Sequence, residues 1–230
     1  MGGKSSGIYK SLNCGLGSLD NKKNVSENLN IVSRRIGCKQ NSLILLNQIH
    51  SNKVFFINKK RKKKIVGDGV VTAKKGLGLA ILSADCAPVM FYDPKNELIG
   101  AAHIGWKGAY KRIVKKMTKY FVKNGSYIKN LKVVIGPSIS KSNYEVKMDF
   151  KKKFLKRSRK NKIYFLNKKD KIFFSLKDFI KGELINLGIK NIEIINKDTY
   201  NPHNNFFSAR RSLKKNYMDY GRNISVIMIK

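Results

Sequence analysis

Three apolar segments of strand length lie close together between residues 76 and 106, and they constrain the fold more than any other feature of the chain. The first two belong to the run GLGLAILSADCAPVMFYDP (76–94), where the polar pair Asp85 and Cys86 separates them. The sequence DPKNE (93–97) is typical of a turn, and LIGAAHIGW (98–106) then returns as a third strand. Most strand connections in the chain are too short for regular helical crossovers, so the pattern favours mixed sheets over a doubly wound parallel fold.

The rest of the chain adds further strands and fewer helices. Helical periodicity and end signals predict helices over 24–37, 107–125 and 175–188. Asn24 and Glu27 have the spacing of a capping box, and Gly37 is expected to end the first helix. Strands are expected at about 43–49, 53–57, 69–73, 131–136, 191–195 and 224–229, and segment 147–175 is left unassigned. We therefore predict an α+β protein with mixed β-sheets, and a length of 230 residues indicates a single domain over residues 1–230.

The chain carries a formal net charge of +35, from 49 Lys and Arg against 14 Asp and Glu. Lysine-rich runs at 59–64 and 151–160 could bind phosphate backbones, which would make this a nucleic-acid-binding protein. Lysine is nevertheless spread along nearly the whole chain, whereas a dedicated nucleic-acid surface clusters its charge and interleaves it with exposed aromatic residues or glycine. We interpret the charge as a basic surface without a specific nucleic-acid partner.

The N-terminal sequence MGGKSSGIYK lacks a hydrophobic signal-peptide region, and no apolar run approaches the length of a membrane span. Three cysteines in such a chain argue against a disulfide framework and for a reducing compartment. These features predict a cytoplasmic protein without a membrane partner.

An acid and a thiol are unexpected at a break between two buried strands, and they direct attention to Cys86. The chain has three histidines, of which His50 and His103 lie at the ends of expected strands. One thiolate and two imidazoles suit zinc, with a fourth position left for water or substrate. The spacing alone leaves two alternatives open: a nucleophilic Cys86–His103 pair, and a buried cysteine with two structural histidines.

The string DGVVTAKKGLGLAILSADCAPVMFYDPKNELIGAAHIGWKG resembles the core of the YfiH family. Supporting blocks occur in the same order: GGKSSGIYKSLNCGLG, NQIHSNKV, IGPSISKSNYEV, FFSARRS and GRNISVIMI. Members of this family were called multicopper polyphenol oxidases or laccase-domain proteins and are now described as purine nucleoside phosphorylases. The resemblance covers essentially the whole chain and implies a four-layer αββα sandwich.

The resemblance also implies a zinc site formed by His50, Cys86 and His103. Copper is possible in the same site, because it outcompetes zinc in raw affinity. Multicopper oxidation is rejected as the main function, since three histidines cannot supply the ligands of several copper centres.

The activity implied is cleavage of adenosine, inosine or methylthioadenosine by phosphate, with adenosine deamination as a related reaction. Bound zinc would act as a Lewis acid or lower the pKa of a water molecule. Asp85 and Glu145 are the candidate catalytic carboxylates, although Asp85 could equally serve a structural role. The candidate residues for binding substrate or phosphate are Asn13, Lys107, Arg210 and Arg211.

Two other functions stay open at this stage. The same metal site could run a peptidoglycan-precursor editing amide hydrolase, another role proposed within the family. A basic nucleic-acid-binding protein is the alternative from a different class. The expected partners of the enzyme are a small-molecule nucleoside and phosphate, and the protein is expected to be a monomer or a homodimer.

Overall fold

The computed structural model describes residues 2–58 and 65–230. Within these ranges it contains six α-helices: α1 (Lys22–Ile36), α2 (Trp106–Tyr110), α3 (Ile113–Lys123), α4 (Met148–Arg157), α5 (Leu176–Asn186) and α6 (Ala209–Lys214). The strands in the same ranges are β1 (Leu43–Asn47), β2 (Val54–Phe56), β3 (Ile65–Val66), β4 (Gly69–Thr72), β5 (Gly78–Ser83), β6 (Ala87–Asp93), β7 (Leu98–Ile104), β8 (Lys132–Ile135), β9 (Glu145–Val146), β10 (Phe165–Lys168), β11 (Lys171–Phe174), β12 (Asn191–Ile194) and β13 (Asn223–Ile227).

The strands form two principal sheets and one small one. The larger sheet has the order β12-β8-β6-β7-β4-β2, the second has the order β13-β5-β1-β3, and β10-β11-β9 form the small sheet. Pairing is antiparallel between β6 and β7 but parallel between β1 and β5 and between β8 and β12. The predicted α+β class with mixed sheets is therefore confirmed.

Side-chain alternation along the strands explains why the two principal sheets stack between helices. On β5, Leu79 and Ile81 belong to the apolar cluster between the sheets, whereas Ala80 packs with residues of α1 such as Leu29. Successive side chains of a strand point to opposite faces, so a strand that is apolar at every position must be covered on both sides. The opposite face of the larger sheet packs against α3 and α5, which gives the order helix, sheet, sheet, helix.

Two helix predictions were wrong in detail. Helix α1 starts at Lys22, because Asn21 rather than Asn24 is its N-cap and accepts hydrogen bonds from two backbone N–H groups. The helix expected over 107–125 is divided into α2 and α3 at Arg112, which has a left-handed backbone with φ of 58°. Helical periodicity alone cannot reveal such a break, because apolar residues continue on both sides of it.

Other expectations were met or fall outside the described ranges. Gly37 ends α1 in a left-handed conformation as predicted, and Ser175, the first residue of the helix expected over 175–188, is the N-cap of α5. The unassigned segment 147–175 contains α4, β10 and β11. The lysine run 59–64 lies outside the described residues. None of the helices in the described ranges has both the length and the apolar character needed to cross a membrane.

Strand register brings three distant segments to one edge of the structure. Ala87 at the start of β6 lies opposite Ile104 at the end of β7, so Cys86 and His103 must be neighbours. Strand β1 runs parallel to β5, so the chain leaving β1 towards His50 emerges on the same side as the chain leaving β5 towards Cys86. The candidate site is formed where these strands end.

Candidate metal centre

The side chains of His50, Cys86 and His103 converge on one point. The Cys86 Sγ atom lies 3.7 Å from His50 Nε2, and the two imidazole ring centres are 4.8 Å apart. The potential ligand atoms of the three residues all lie within 4.8 Å of one another. His103 is buried, Cys86 is half-buried and His50 is exposed, so the cluster extends from the interior to the surface. This arrangement is placed to bind a metal ion.

A buried carboxylate, Asp68, fixes the orientation of His103. Its Oδ1 atom lies 2.9 Å from His103 Nδ1 and accepts a hydrogen bond from the backbone N–H of His50 (2.9 Å), while its Oδ2 atom accepts one from the backbone N–H of Ser51 (2.6 Å). Asp68 therefore holds the loop of one candidate ligand and the ring of another. With Nδ1 directed at Asp68, the Nε2 atom of His103 is the one left for a metal, which is the usual arrangement in metal sites.

The electrostatics of the cluster favour ionised forms of Asp68 and Cys86. Burial alone would raise the pKa of Asp68, but hydrogen bonds from His103 and Ser51 lower it to about 2. Burial would likewise raise the pKa of the Cys86 thiol, but the charge of His103 and hydrogen bonds from both histidines lower it to about 6. Burial would lower the pKa of His103, and the Cys86 thiolate and Asp68 raise it to about 9. The thiolate is the form of cysteine that binds metals.

A glycine provides the space in which Cys86 and His50 meet. A Cβ atom added to Gly105 would lie 2.8 Å from Cys86 Sγ and 3.0 Å from His50 Cδ2. Any larger residue at this position would therefore push two of the three candidate ligands away. One sulfur and two nitrogen donors fit zinc, and they also fit copper, so the chemistry of the donors does not distinguish these metals.

A cleft of about 410 Å³ opens over the cluster. Its walls include the loop Gly15–Gly17, the chain after β5, and two residues near the C-terminus, Tyr220 and Arg222. The triad of His50, Cys86 and His103 forms one part of the wall of this triad cleft, so a molecule bound there would face the three side chains directly.

The two candidate catalytic carboxylates are engaged elsewhere. The Asp85 carboxylate accepts hydrogen bonds from Thr199 Oγ1 (2.7 Å), Ser208 Oγ (2.9 Å) and the backbone N–H of Arg210 (2.7 Å). Asp85 also has a left-handed backbone, with φ of 83°. The Glu145 carboxylate is exposed and pairs with Lys171 at 3.1 Å. Asp85 therefore ties the turn before Cys86 to the start of α6, and the catalytic roles of both residues stay predictions.

The predicted substrate-binding residues are dispersed. Asn13 is fully buried, and its amide bonds internally to Ser18, Asp20, Gly15 and Arg222, so a contact with substrate would first have to break these bonds. The Arg211 guanidinium donates to the backbone carbonyls of Thr199, Tyr200 and Phe206.

Arg210 and Lys107 lie near aromatic side chains. The Arg210 guanidinium donates to the Glu145 carbonyl and lies 5.5 Å from the centre of the Tyr144 ring. Lys107 is exposed on α2, with Nζ 5.8 Å from the Trp106 ring centre. Both of these cations lie outside the walls of the triad cleft.

Sequence reasoning missed three residues of the site, namely Asp68, Gly105 and Arg222. Asp68 lies in the string GDG between two short strands, and an acid between two glycines in an apolar region was the available sign of a buried role. Gly105 lies in HIGW next to a candidate ligand. Arg222 is one of 49 basic residues, and its place in the family block GRNISVIMI was the available sign.

The fold and the three converging ligands define a class of α+β proteins with a His–Cys–His centre at the ends of two stacked sheets. The chain belongs to the family described as multi-copper polyphenol oxidoreductase laccase, whose model matches residues 1–230. This confirms the predicted membership of the YfiH family.

Individual relatives and solved structures agree with this membership. The chain is 35% identical to purine nucleoside phosphorylase RP494 of Rickettsia prowazekii over 194 residues, which cover 84% of this chain and 80% of the relative. It is 37% identical to purine nucleoside phosphorylase RC0672 of Rickettsia conorii over 176 residues, covering 76% and 72%. The crystal structure of the hypothetical protein YfiH of Bacillus licheniformis superposes with a TM-score of 0.91 at 29% identity, covering 100% of this chain and 90% of that one.

Proposed function

We propose that this protein is a zinc-dependent purine nucleoside phosphorylase that cleaves adenosine, inosine or methylthioadenosine with phosphate. The observation that carries the proposal is the convergence of His50, Cys86 and His103 beside a cleft. The names of the curated relatives support the reaction class, since relatives at 35% and 37% identity are called purine nucleoside phosphorylases. We further propose a single cytoplasmic domain spanning residues 1–230.

His50, Cys86 and His103 would hold the metal, which would supply Lewis-acid polarisation of a substrate oxygen or of water. The chain's own contribution is to hold these donors in place. Asp68 directs His103 through Nδ1 and anchors the His50 backbone, while Gly105 keeps the space between Cys86 and His50 open.

Phosphorolysis breaks the bond between C1′ of the sugar and N9 of the purine and forms a bond from C1′ to a phosphate oxygen. The departing base needs a proton at a ring nitrogen, and phosphate must be held near C1′ while water is kept away. The cleft of about 410 Å³ beside the three candidate ligands offers the space for this step and is partly open to solvent. Asp85 and Glu145 remain the predicted proton carriers, with adenosine deamination as the related reaction that the family resemblance implies.

The test is release of free base from each nucleoside with and without phosphate, together with elemental analysis of protein prepared without chelators. We expect base release to require phosphate and one zinc to be bound per chain. The variant Cys86→Ala should lose both metal and activity. Cys38→Ala is the matched control, because Cys38 is a half-buried free cysteine outside the walls of the cleft, and it should retain both.

The same experiment separates the alternatives. Wild-type protein that releases base without any metal would refute the zinc mechanism. Hydrolysis of a peptidoglycan-precursor amide with no phosphate-dependent base release would favour the editing hydrolase. RNA binding that persists at high salt and survives Cys86→Ala, in a protein without either activity, would favour the nucleic-acid-binding alternative.

A further inference from the structure

The walls of the triad cleft are nearly free of permanent charge, although the chain has 49 Lys and Arg residues. Among the described residues that line the cleft, Arg222 is the one with a permanently charged side chain. The other walls are apolar or neutral, apart from the triad itself. The many other Lys and Arg residues in the described ranges therefore do not line this cleft, which sets Arg222 apart from the general basic surface.

The guanidinium of Arg222 is held in a defined position. Its Nη1 group donates to Asp219 Oδ1 at 3.0 Å and to the Tyr220 carbonyl, and its Cζ atom lies 4.3 Å from the centre of the Tyr220 ring. The side chain is 22% exposed, so the group is partly withdrawn from water while it still reaches the cleft. Both of these hydrogen bonds use Nη1, so the edge formed by Nε and Nη2 is the fork that can donate to an anion.

The N-terminal loop is shaped to admit this side chain. Asn13 Oδ1 accepts hydrogen bonds from the backbone N–H of Arg222 at 2.9 Å and from that of Gly15 at 3.0 Å. A Cβ atom on Gly15 would lie 2.5 Å from Arg222 Cδ, so only glycine lets the Arg222 stem pass. The buried amide of Asn13 therefore positions Arg222 and does not need to contact substrate itself.

The other cations that the sequence offered are less suited to an anion in this cleft. Arg211 donates to three backbone carbonyls and Arg210 to a fourth. Lys107 lies beside Trp106, outside the walls of the cleft.

We propose that Arg222 is the residue that binds the phosphate co-substrate in the triad cleft, with Asn13 and Gly15 as its positioning residues. This inference rests on the proposed phosphorylase function. Phosphate is a dianion whose oxygens match the guanidinium fork, and charge-assisted bonds of this kind are about twice as strong as neutral ones. A cation held in the same cleft as the triad would also orient a phosphate oxygen towards a sugar bound there.

The experiment compares Arg222→Gln, Arg222→Lys and the control Lys152→Gln, an exposed lysine of α4 outside the cleft walls. The readouts are KM for phosphate, KM for the nucleoside, bound zinc, and binding of inorganic phosphate alone by calorimetry. For Arg222→Gln we expect KM for phosphate to rise roughly 10- to 100-fold, with zinc content unchanged. Arg222→Lys should recover part of this loss, because it restores the charge without the fork. Lys152→Gln should match the wild type.

The outcomes distinguish this inference from the function on which it rests. If the wild type releases base without phosphate, the proposed function fails, while loss of inorganic phosphate binding in Arg222→Gln would still support the anion site. If phosphorolysis occurs and Arg222→Gln leaves KM for phosphate unchanged, the inference is wrong and the function stands. If both KM values rise equally and Arg222→Lys recovers neither, Arg222 is structural and the inference is also wrong.

Discussion

Replacement of Gly105 by alanine should impair metal binding while the fold is retained. Gly105 has φ of −85° and ψ of 176°, an extended backbone that alanine adopts without strain. The added Cβ would, however, lie 2.8 Å from Cys86 Sγ and 3.0 Å from His50 Cδ2. The substitution therefore tests side-chain space at the metal centre and not backbone conformation.

The expected magnitude follows from these distances. Non-bonded heavy atoms settle at roughly 3.5–4.0 Å, so Sγ must retreat by about 0.7 Å or more. Metal–ligand distances tolerate only about 0.2 Å, so the displaced thiolate would leave the coordination geometry. We expect zinc affinity to fall by roughly 10- to 100-fold, the range found when the supports of metal ligands are altered. Overpacking should cost about 1–3 kcal/mol of folding free energy, and each kcal/mol lowers Tm by roughly 2–4 °C in a chain of this size.

The assay is competition for zinc between the protein and a chromophoric chelator, with circular dichroism to establish that the variant is folded. Gly17→Ala is the matched control, because Gly17 also lines the cleft but its added Cβ would meet no atom within 4 Å among the described residues. A folded Gly105→Ala protein that binds zinc as tightly as the wild type would refute the proposed geometry of the centre.

Three further predictions concern stability. Asn21→Ala should cost about 1 kcal/mol of unfolding free energy because Asn21 caps α1, whereas Asn24→Ala should cost much less. Equal losses in denaturant titrations would contradict the assignment of Asn21 as the N-cap. Burial would raise the pKa of Asp198, but hydrogen bonds hold it below its ordinary value of 3.8. The ionised carboxylate therefore stabilises the folded protein above that pH, and this stabilisation is lost as the pH falls further. Asp198→Asn should consequently flatten the loss of Tm between about pH 5 and 3, and an unchanged slope would count against the argument. Ser138 is fully buried with an unpaired Oγ among the described residues, so Ser138→Ala should raise stability by about 1 kcal/mol in the same titrations, and a decrease would show that the hydroxyl has a partner.

Local patterns predicted much of the secondary structure. The strands around Asp85 and Cys86 and the end of α1 at Gly37 follow from residue types that act within a few positions of one another. The break at Arg112 did not, because a left-handed residue inside a continuous apolar pattern reflects packing of α2 and α3 against the sheet. Segment 147–175 resisted assignment because its two short strands pair, within the described ranges, with each other and with the two-residue strand β9, so they lack the long apolar pattern of a central strand.

The candidate ligands could be named from the sequence because cysteine and histidine are rare in this chain, with three of each. Rarity makes every such residue a candidate for metal chemistry. Arginine and lysine are common instead, and among 49 basic residues composition alone does not single out Arg222 as the one that, in the described part of the chain, lines the cleft. The adjacent pair Arg210 and Arg211 drew attention, yet their guanidinium groups donate to backbone carbonyls.

The sequence by itself determined which donor atoms exist and which segments alternate as strands, because both depend on residue identity and short-range periodicity. The tertiary structure alone decided that His50, Cys86 and His103 meet, that Asp68 holds two of them, and that Arg222 reaches the same cleft. These contacts join segments that are tens to hundreds of residues apart. The turn at 93–97 can set the register of β6 with β7 locally, but the parallel pairing of β1 with β5, which brings His50 to Cys86, joins segments that no local pattern connects.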